Sequence, residues 1–400
     1  MTGIYPAPTH IEHHRRQFPA LANKAYFNFG GQGPLPQASL EAIRQAYDYI
    51  EFHGPFSAGA NDWITEEANQ TRLAIASELA APVETITLTE NITVGCNIAM
   101  WGIDWQAGDH MLLTDAEHPG IVATAQEIAR RFDVEISTCP IMATLNQGNP
   151  TEVIAQHLQP RTRLVVLNHL LWNTGQILPL TEIVEVCRRY SKGTQLIRVL
   201  VDAAQSVGCL PLNLTELGAD FYAFTGHKWL CGPEGLGGLY VRPDAFESIS
   251  PTFIGWRGIA TGKTGQPVGW KPDGRRFEVA TSSYPLYAGL RAAIATHQQW
   301  GTPQERYEQI CQLSEYLWQG LSQLDVVKCL KISPPQAGLV SFVLTNEQSH
   351  THLVQSLEQQ GFMLRTFLNP NCVRACVHYF TQQAEIDQLV EAIKRIAAGD

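Results

Sequence analysis

Between residues 86 and 201 the chain alternates short, unbroken apolar runs with stretches of helical period. Ile86-Thr87-Leu88-Thr89 precedes a helical stretch over 92–101, and His110-Met111-Leu112-Leu113-Thr114 precedes one over 119–131. Val134-Glu135-Ile136-Ser137 is followed by 151–158, and Leu164-Val165-Val166-Leu167-Asn168 by 180–190. Residues 196–201 form a further apolar β run. Strands that are apolar throughout, rather than at every second residue, are buried on both faces. That is the signature of a mostly parallel sheet covered by helices on each side, so an α/β fold is expected.

The flanking regions read differently. A helix is expected over 34–49, with Leu40, Ile43, Ala46, Tyr47 and Ile50 on one face, and another over 63–79. Before them, Ala25-Tyr26-Phe27-Asn28-Phe29 breaks into the Gly30-Gly31 turn. Periodicity fades between 250 and 282, where Gly255, Gly258, Gly262, Gly265, Gly269 and Gly274 are interspersed with aromatic and basic residues. A stretch of that length without apolar pattern is functional or an interface. Helices over 284–300 and 303–323 then lead into strand 339–344, helix 350–360, strands 362–366 and 372–379, and helix 383–397. The expected division is a large α/β domain over 20–282 and a small α+β domain over 283–400 joined by residues 1–19.

Composition removes several function classes. Of 400 residues, 44% are hydrophobic and 16% charged, an ordinary globular balance. The formal charge of −10, with no Lys/Arg-rich run, argues against nucleic acid as a partner. No apolar run reaches membrane-spanning length, and Met1–Pro6 lacks the layout of a signal peptide, so a cytoplasmic protein without membrane partners is expected. Nine scattered cysteines fit reduced thiols rather than a disulfide framework. With no CxxC or HExxH spacing, no metal site is expected.

Ligands of doubly wound sheets bind at the carboxyl ends of the strands, and four polar segments fall there. Thr89–Gly95 is a strand-to-helix turn whose backbone N–H groups at Ile92, with the Thr93 hydroxyl, suit a phosphate; taken alone, it is an N-cap. Glu117-His118-Pro119-Gly120 offers an imidazole that can stack on an aromatic ring, or simply a loop histidine before an N1 proline. Asn168–Gln176, including Asn173, can meet a ligand or satisfy loop backbone. Asp202, closing an apolar run, needs a cationic partner, and Ala203-Ala204 begins no helix for it to cap. Lys228 completes the set. It lies between Phe224 and Trp229-Leu230, where desolvation favours the neutral amine needed for imine formation. A lysine of this kind with a ring-nitrogen acid is what a pyridoxal-phosphate site requires.

At Asp202-Ala203-Ala204-Gln205-Ser206, Gly226-His227-Lys228 and Gly232-Pro233-Glu234-Gly235 the chain resembles the class-V aminotransferase family of fold-type I pyridoxal-phosphate enzymes. That group includes cysteine desulfurases, cyst(e)ine C–S lyases and isopenicillin N epimerase-like proteins. The resemblance implies a seven-stranded-type, mostly parallel sheet in the large domain. It implies that Lys228 is the Schiff-base lysine, Asp202 the partner of the pyridine nitrogen, Gln205 a donor to the ring hydroxyl and His118 the stacking histidine. Ile92, Thr93, Thr225 and His227 would hold the phosphate, as would Thr281 from the other subunit of a homodimer. The family's ring-contacting asparagine falls near Trp172 or Asn173, and Asn173 is the asparagine of the two. Arg374 would bind the substrate α-carboxylate, and Trp256, in the glycine-rich loop, would shape the substrate pocket.

The same resemblance bears on the reaction. Desulfurases carry a sulfur-accepting cysteine in a mobile loop before that arginine. Here the segment Arg365-Thr366-Phe367-Leu368-Asn369-Pro370-Asn371-Cys372-Val373-Arg374 is short, and Cys372 sits two residues from the arginine, in strand. The expectation is a C–S lyase that converts L-cysteine or L-cystine to pyruvate, ammonia and sulfide or persulfide. The alternatives are a desulfurase feeding Fe–S cluster assembly, or an epimerase or aminotransferase of the same family.

Overall fold

The apolar runs pair side by side. In the computed structural model, which describes residues 8–191 and 196–398, seven strands form one sheet. Their spatial order is Ile86–Thr89, Gly237–Val241, Phe221–Thr225, Arg198–Asp202, Thr162–Asn168, His110–Thr114, Glu135–Cys139. Gly237–Val241 runs against both neighbours, and the remaining pairs are parallel. The reading of Met1–Pro6, and the outer ends of the two-domain division, lie outside the described residues.

Alternate residues of the central strands feed two separate cores. Val165, Leu167, Val199, Val201 and Phe224 join the cluster on one face. Leu164, Val166, Leu200, Phe221 and Ala223 join the cluster on the other. This explains the unbroken apolar runs, because each face needs its own covering of helices. Ile92–Gly102, Pro119–Phe132, Pro150–His157 and Leu180–Tyr190 supply it, each within a residue of its expected bounds.

A second, antiparallel sheet takes the order Val327–Cys329, Leu339–Leu344, Asn371–Cys376, Arg365–Leu368. Helices Pro303–Ser322, His350–Gln359 and Gln383–Ala398 share its core through Leu313, Leu357 and Ile393. The strand expected over 372–379 ends at Cys376. There the Val377 N–H turns to the Gly338 carbonyl at 2.8 Å, and the chain bends through His378–Thr381. The strand expected over 362–366 is split, with Phe362–Met363 pairing in parallel with Ala25–Tyr26 and Arg365–Leu368 joining the four-stranded sheet.

Two further departures concern exposed segments. The helix expected over 63–79 starts earlier, at Ala58, where the Ser57 hydroxyl accepts from the Ala60 N–H at 3.2 Å. Within 250–282 the strands Ile259–Thr261 and Pro267–Trp270 pair as a hairpin. Neither strand buries a face, so no alternation marked them. The helix Pro285–Trp300 packs on Gln37–His53 and Ala58–Glu78, with Tyr287, Leu290 and Ile294 in a core of the large sheet. Among the described residues, no helix is long and apolar enough to cross a membrane.

Candidate active site

The carboxyl ends of the parallel strands open into a cavity of about 740 Å³. Its wall includes Asp202 and Gln205 after the Arg198–Asp202 strand, His227 and Lys228 after Phe221–Thr225, and Asn168 with Trp172 after Thr162–Asn168. The helix start Asn91–Val94, His118, and Arg365, Phe367 and Arg374 from the small sheet close it. Sheet register brings these together: Asn168 pairs with Asp202, and Asp202 with Ala223, two residues before Thr225.

On the large-sheet side of this wall, Asp202 and Lys228 oppose each other. Asp202 is 4% exposed, and burial raises its pKa above the ordinary carboxylate value. The Ala204 N–H, donating to Oδ1 at 3.0 Å, and the nearby Lys228 and His118 work against that rise. Lys228 is pushed down to about 8, by burial first, with Arg374 and Arg365 adding to the effect and Asp202 opposing it. A buried amine titrating there is partly neutral near pH 7 and able to act as nucleophile or base. Burial also lowers the pKa of His118 and His227.

The helix start is capped and also borders the cavity. Asn91 caps Ile92–Gly102 by accepting from the Val94 N–H at 3.1 Å, while Ile92 and Thr93 line the cavity beside the helix N-terminus. His118 caps Pro119–Phe132 through Nδ1, 3.2 Å from the Gly120 N–H, and lines the cavity too. Thr225 and His227 engage each other, Oγ1 to Nδ1, at 2.7 Å. Gln205 spans two neighbours, Nε2 donating to the Gly30 carbonyl at 3.0 Å and Oε1 accepting from Trp229 Nε1 at 2.9 Å.

Four expected residues lie off this wall, the first being Thr225, which is buried against His227. Asn173 is buried off the cavity wall, where Nδ2 reaches the Asn369 carbonyl at 3.4 Å and Oδ1 has no partner; Trp172 takes the wall position instead. Trp256 is 61% exposed and away from this cavity. Thr281 is exposed and lines an adjacent cavity of about 720 Å³, which shares Thr93 and Val94 with the first.

Arg374 stands on the Asn371–Cys376 strand, 1% exposed. Nη1 donates to the Trp172 carbonyl at 2.5 Å, and the Phe367 ring lies 4.7 Å from Cζ. Nε and Nη2 have no partner, and no carboxylate pairs with this guanidinium among the described residues. A buried cation with two unsatisfied donors is costly unless an anion completes it. Arg365 approaches the same ring from an exposed position, Cζ to centroid 5.4 Å.

Arg365 and the Gly30 turn also border the site, although neither is marked for it by sequence. A Cβ on Gly30 would lie 2.7 Å from Arg374 Cζ, and one on Gly33 would lie 2.2 Å from the Lys228 carbonyl. The glycine run after an apolar strand was the only signal, and it does not say what the backbone approaches. Glu117 was also passed over. It is buried, pushed up to about 8 by desolvation and by Asp202, and held by Thr114 Oγ1 at 2.6 Å and Asn168 Nδ2 at 3.0 Å.

These residues fit pyridoxal phosphate. A desolvated lysine faces a buried carboxyl, a helix start offers free N–H groups, and a guanidinium lacks its anion. Comparison with known families agrees, since the aminotransferase class-V pattern matches residues 25–389. The chain belongs to this family. Its cofactor is accordingly pyridoxal phosphate. A cysteine desulfurase of Yersinia pestis (strain Pestoides F) is 28% identical over 417 residues, covering 96% of this chain and 98% of that one. The structure of the cystine C–S lyase C-DES in complex with its product cysteine persulfide superposes with a TM-score of 0.93 and is 55% identical, covering 94% of this chain and 99% of that one. A lysine-to-alanine mutant of C-DES, with glycine covalently linked to its pyridoxal-phosphate cofactor, gives 0.93 at 54% identity over 95% and 98%. The apo cysteine desulfurase of Thermococcus onnurineus NA1 shares the fold, TM-score 0.86 at 23% identity over the full length of both chains.

Proposed function

We propose that this enzyme is a C–S lyase that cleaves L-cystine by β-elimination. Cystine and water give pyruvate, ammonia and cysteine persulfide. The observation that carries this reading is the pair of guanidinium groups on Phe367. Arg374 is buried with free donors and Arg365 stands toward solvent, so one cavity offers a cationic group near each end of a substrate with two carboxylates. Cysteine has only one carboxylate.

Lys228, Asp202 and His118 would form the catalytic set, with Gln205, Thr93, Ile92, Thr225 and His227 holding the cofactor. When bound, pyridoxal phosphate supplies the electron sink that acidifies the Cα–H bond of an amino acid. Arg374 takes the α-carboxylate and fixes Cα within reach of Lys228. The lysine, neutral through burial, removes the Cα proton, and the β-sulfur departs with the electron pair of the Cβ–S bond. Asp202 would hold a proton on the pyridine nitrogen, and His118 would stack on the ring. Trp172 and Phe367, packed edge to face at 4.8 Å, give the departing sulfur an apolar wall.

No cysteine lines the cavity among the described residues. Cys372 is fully buried within the Asn371–Cys376 strand, and burial lifts its thiol to about 11. A sulfur acceptor needs an accessible thiolate, so the sulfur leaves on the product rather than on the protein. This separates the lyase from a desulfurase.

The chain is proposed to work as a homodimer, with Thr281 reaching the partner's phosphate and Trp256 the partner's substrate pocket. Thr281 lines a cavity next to its own site, and Phe253, Ile254 and Trp256 on that side are exposed. The division into 20–282 and 283–400 with 1–19 belongs to the same reading. The test is a product assay on the holoenzyme with cystine and cysteine in parallel. Equimolar pyruvate and persulfide from cystine support the lyase. Alanine in place of pyruvate would identify a desulfurase, and neither product would end the C–S reading.

A further inference from the structure

Four buried side chains stand behind the lysine loop and take no part in the chemistry above. Tyr379 and His378 follow the strand that carries Arg374, His297 lies on Pro285–Trp300, and His14 on Pro8–Arg15. Their exposures are 0%, 0%, 2% and 3%. With Cys231, two of the histidines gather three metal-ligating atoms within 4.8 Å of one another. The hydrogen bonds occupy both nitrogens of each of these rings, so the cluster is not a free ligand set.

The direction of each bond follows from the fixed donors and acceptors. The Tyr379 N–H donates to His378 Nδ1 at 3.0 Å, so that neutral ring carries its proton on Nε2, which donates to the Trp229 carbonyl at 3.0 Å. His297 Nε2 faces the Leu230 carbonyl at 2.8 Å, which only accepts. Nε2 is therefore the donor, and Nδ1 receives the Tyr379 hydroxyl proton at 2.7 Å. The Tyr379 oxygen in turn accepts from His14 Nε2 at 2.8 Å. Burial keeps every member neutral, lowering His14 to about 4 and His378 to about 3, holding His297 well below the ordinary imidazole value, and raising Tyr379. One proton arrangement satisfies the whole network.

We propose that His297 and His378 are positioning residues, which through Tyr379 fix the backbone beside Lys228 and so set the reach of its amine toward Arg374. The two carbonyls they hold belong to Trp229 and Leu230, the residues directly after the lysine. On its other side, the His227 carbonyl accepts from the Gly33 N–H at 2.7 Å. The lysine backbone is thus held from both flanks. His378 and Tyr379 follow closely on the strand that carries Arg374, so the two groups that must meet one substrate carbon share a frame. A displacement of about 1 Å in such a frame is enough to lower turnover on the order of a hundredfold.

The inference rests on the reading of Lys228 as the working amine, and Lys228→Ala tests that reading alone: turnover retained in K228A would end it whatever the histidines do. The clamp is tested with His378→Leu, which keeps apolar volume and removes the donor, and with His378→Gln, whose amide can still reach the Trp229 carbonyl. Borohydride-fixed cofactor per chain counts the loaded sites, so kcat is expressed per site. In H378L, kcat falls about tenfold or more with KM for cystine within about twofold, and the rate at which the cofactor-free chain captures pyridoxal phosphate falls in parallel. H378Q recovers most of both. A loaded H378L with unchanged kcat and capture rate, or a loss confined to KM, would overturn the proposal. Should H378L not fold, Tyr379→Phe, which removes only the hydroxyl that orients His297, decides on the same two readouts: lowered rates support the clamp and unchanged rates refute it.

Discussion

The two walls of the cavity handle charge in opposite ways. On the large-sheet wall, buried groups face their complements: Asp202 opposes Lys228, and each moderates the pKa shift that burial imposes on the other. On the small-sheet wall, Arg374 and Arg365 flank one aromatic ring with no carboxylate between them. A self-compensated wall keeps its geometry whether or not substrate is present, which suits a cofactor. An uncompensated one gains most when an anion arrives, which suits a substrate that comes and goes.

The sharpest way to break this contrast is at Arg374. Arg374→Gln leaves the carboxylate without its buried partner, and kcat/KM for cystine is expected to fall about 10²–10³-fold, measured by pyruvate release. A loss under tenfold would mean that the small-sheet wall does not bind the α-carboxylate. Arg365→Gln comes next, with a loss of about ten- to a hundredfold for cystine and little change for cysteine. Equal losses on both substrates would remove Arg365 from the distal carboxylate and weaken the choice of cystine.

The large-sheet wall is probed through pH. Lys228 of the cofactor-free chain titrates at about 8, below the ordinary lysine value, and only the neutral amine attacks a carbonyl. Capture of pyridoxal phosphate, followed by absorbance, should therefore rise about tenfold between pH 7 and 9 and level off above. A rise continuing to pH 10.5 would show that burial does not shift the lysine. The smallest effect is expected at Cys372→Ser, where cystine turnover should stay within about twofold because the thiol is buried off the wall. Abolished turnover would restore the desulfurase.

The contrast between the walls also marks what the sequence could reveal. On the large sheet, apolar runs end in polar segments, so Thr114, Asn168, Asp202 and Thr225 fell at strand ends by pattern alone, and Lys228 with them. On the small sheet the decisive residues come from a hairpin, Arg365–Leu368 against Asn371–Cys376, where facing depends on register rather than on run length. Arg374 entered only through family resemblance, and Arg365 was passed over. Gly30 and Gly33 act through backbone contacts made across the fold, which no local pattern encodes. The exposed hairpin at 259–270 carries no alternation because neither face is buried. Asn173 entered through family resemblance as one of two neighbouring positions, and the turn after Asn168 presents the other, Trp172, to the cavity.

The segments that hold the lysine loop come from the two ends of the chain, Gly33 from one and His378 from the other, with Arg374 close by. During synthesis the large sheet can be completed once residue 241 has emerged, yet the loop around residue 228 still lacks its C-terminal support. A nascent chain is therefore expected to expose the lysine and the strand ends before it can hold the cofactor firmly, and loading becomes an event that waits for residue 378 to emerge. The amount of loaded enzyme in a cell would then report on chains that extend past residue 378, with fragments ending before residue 374 contributing none.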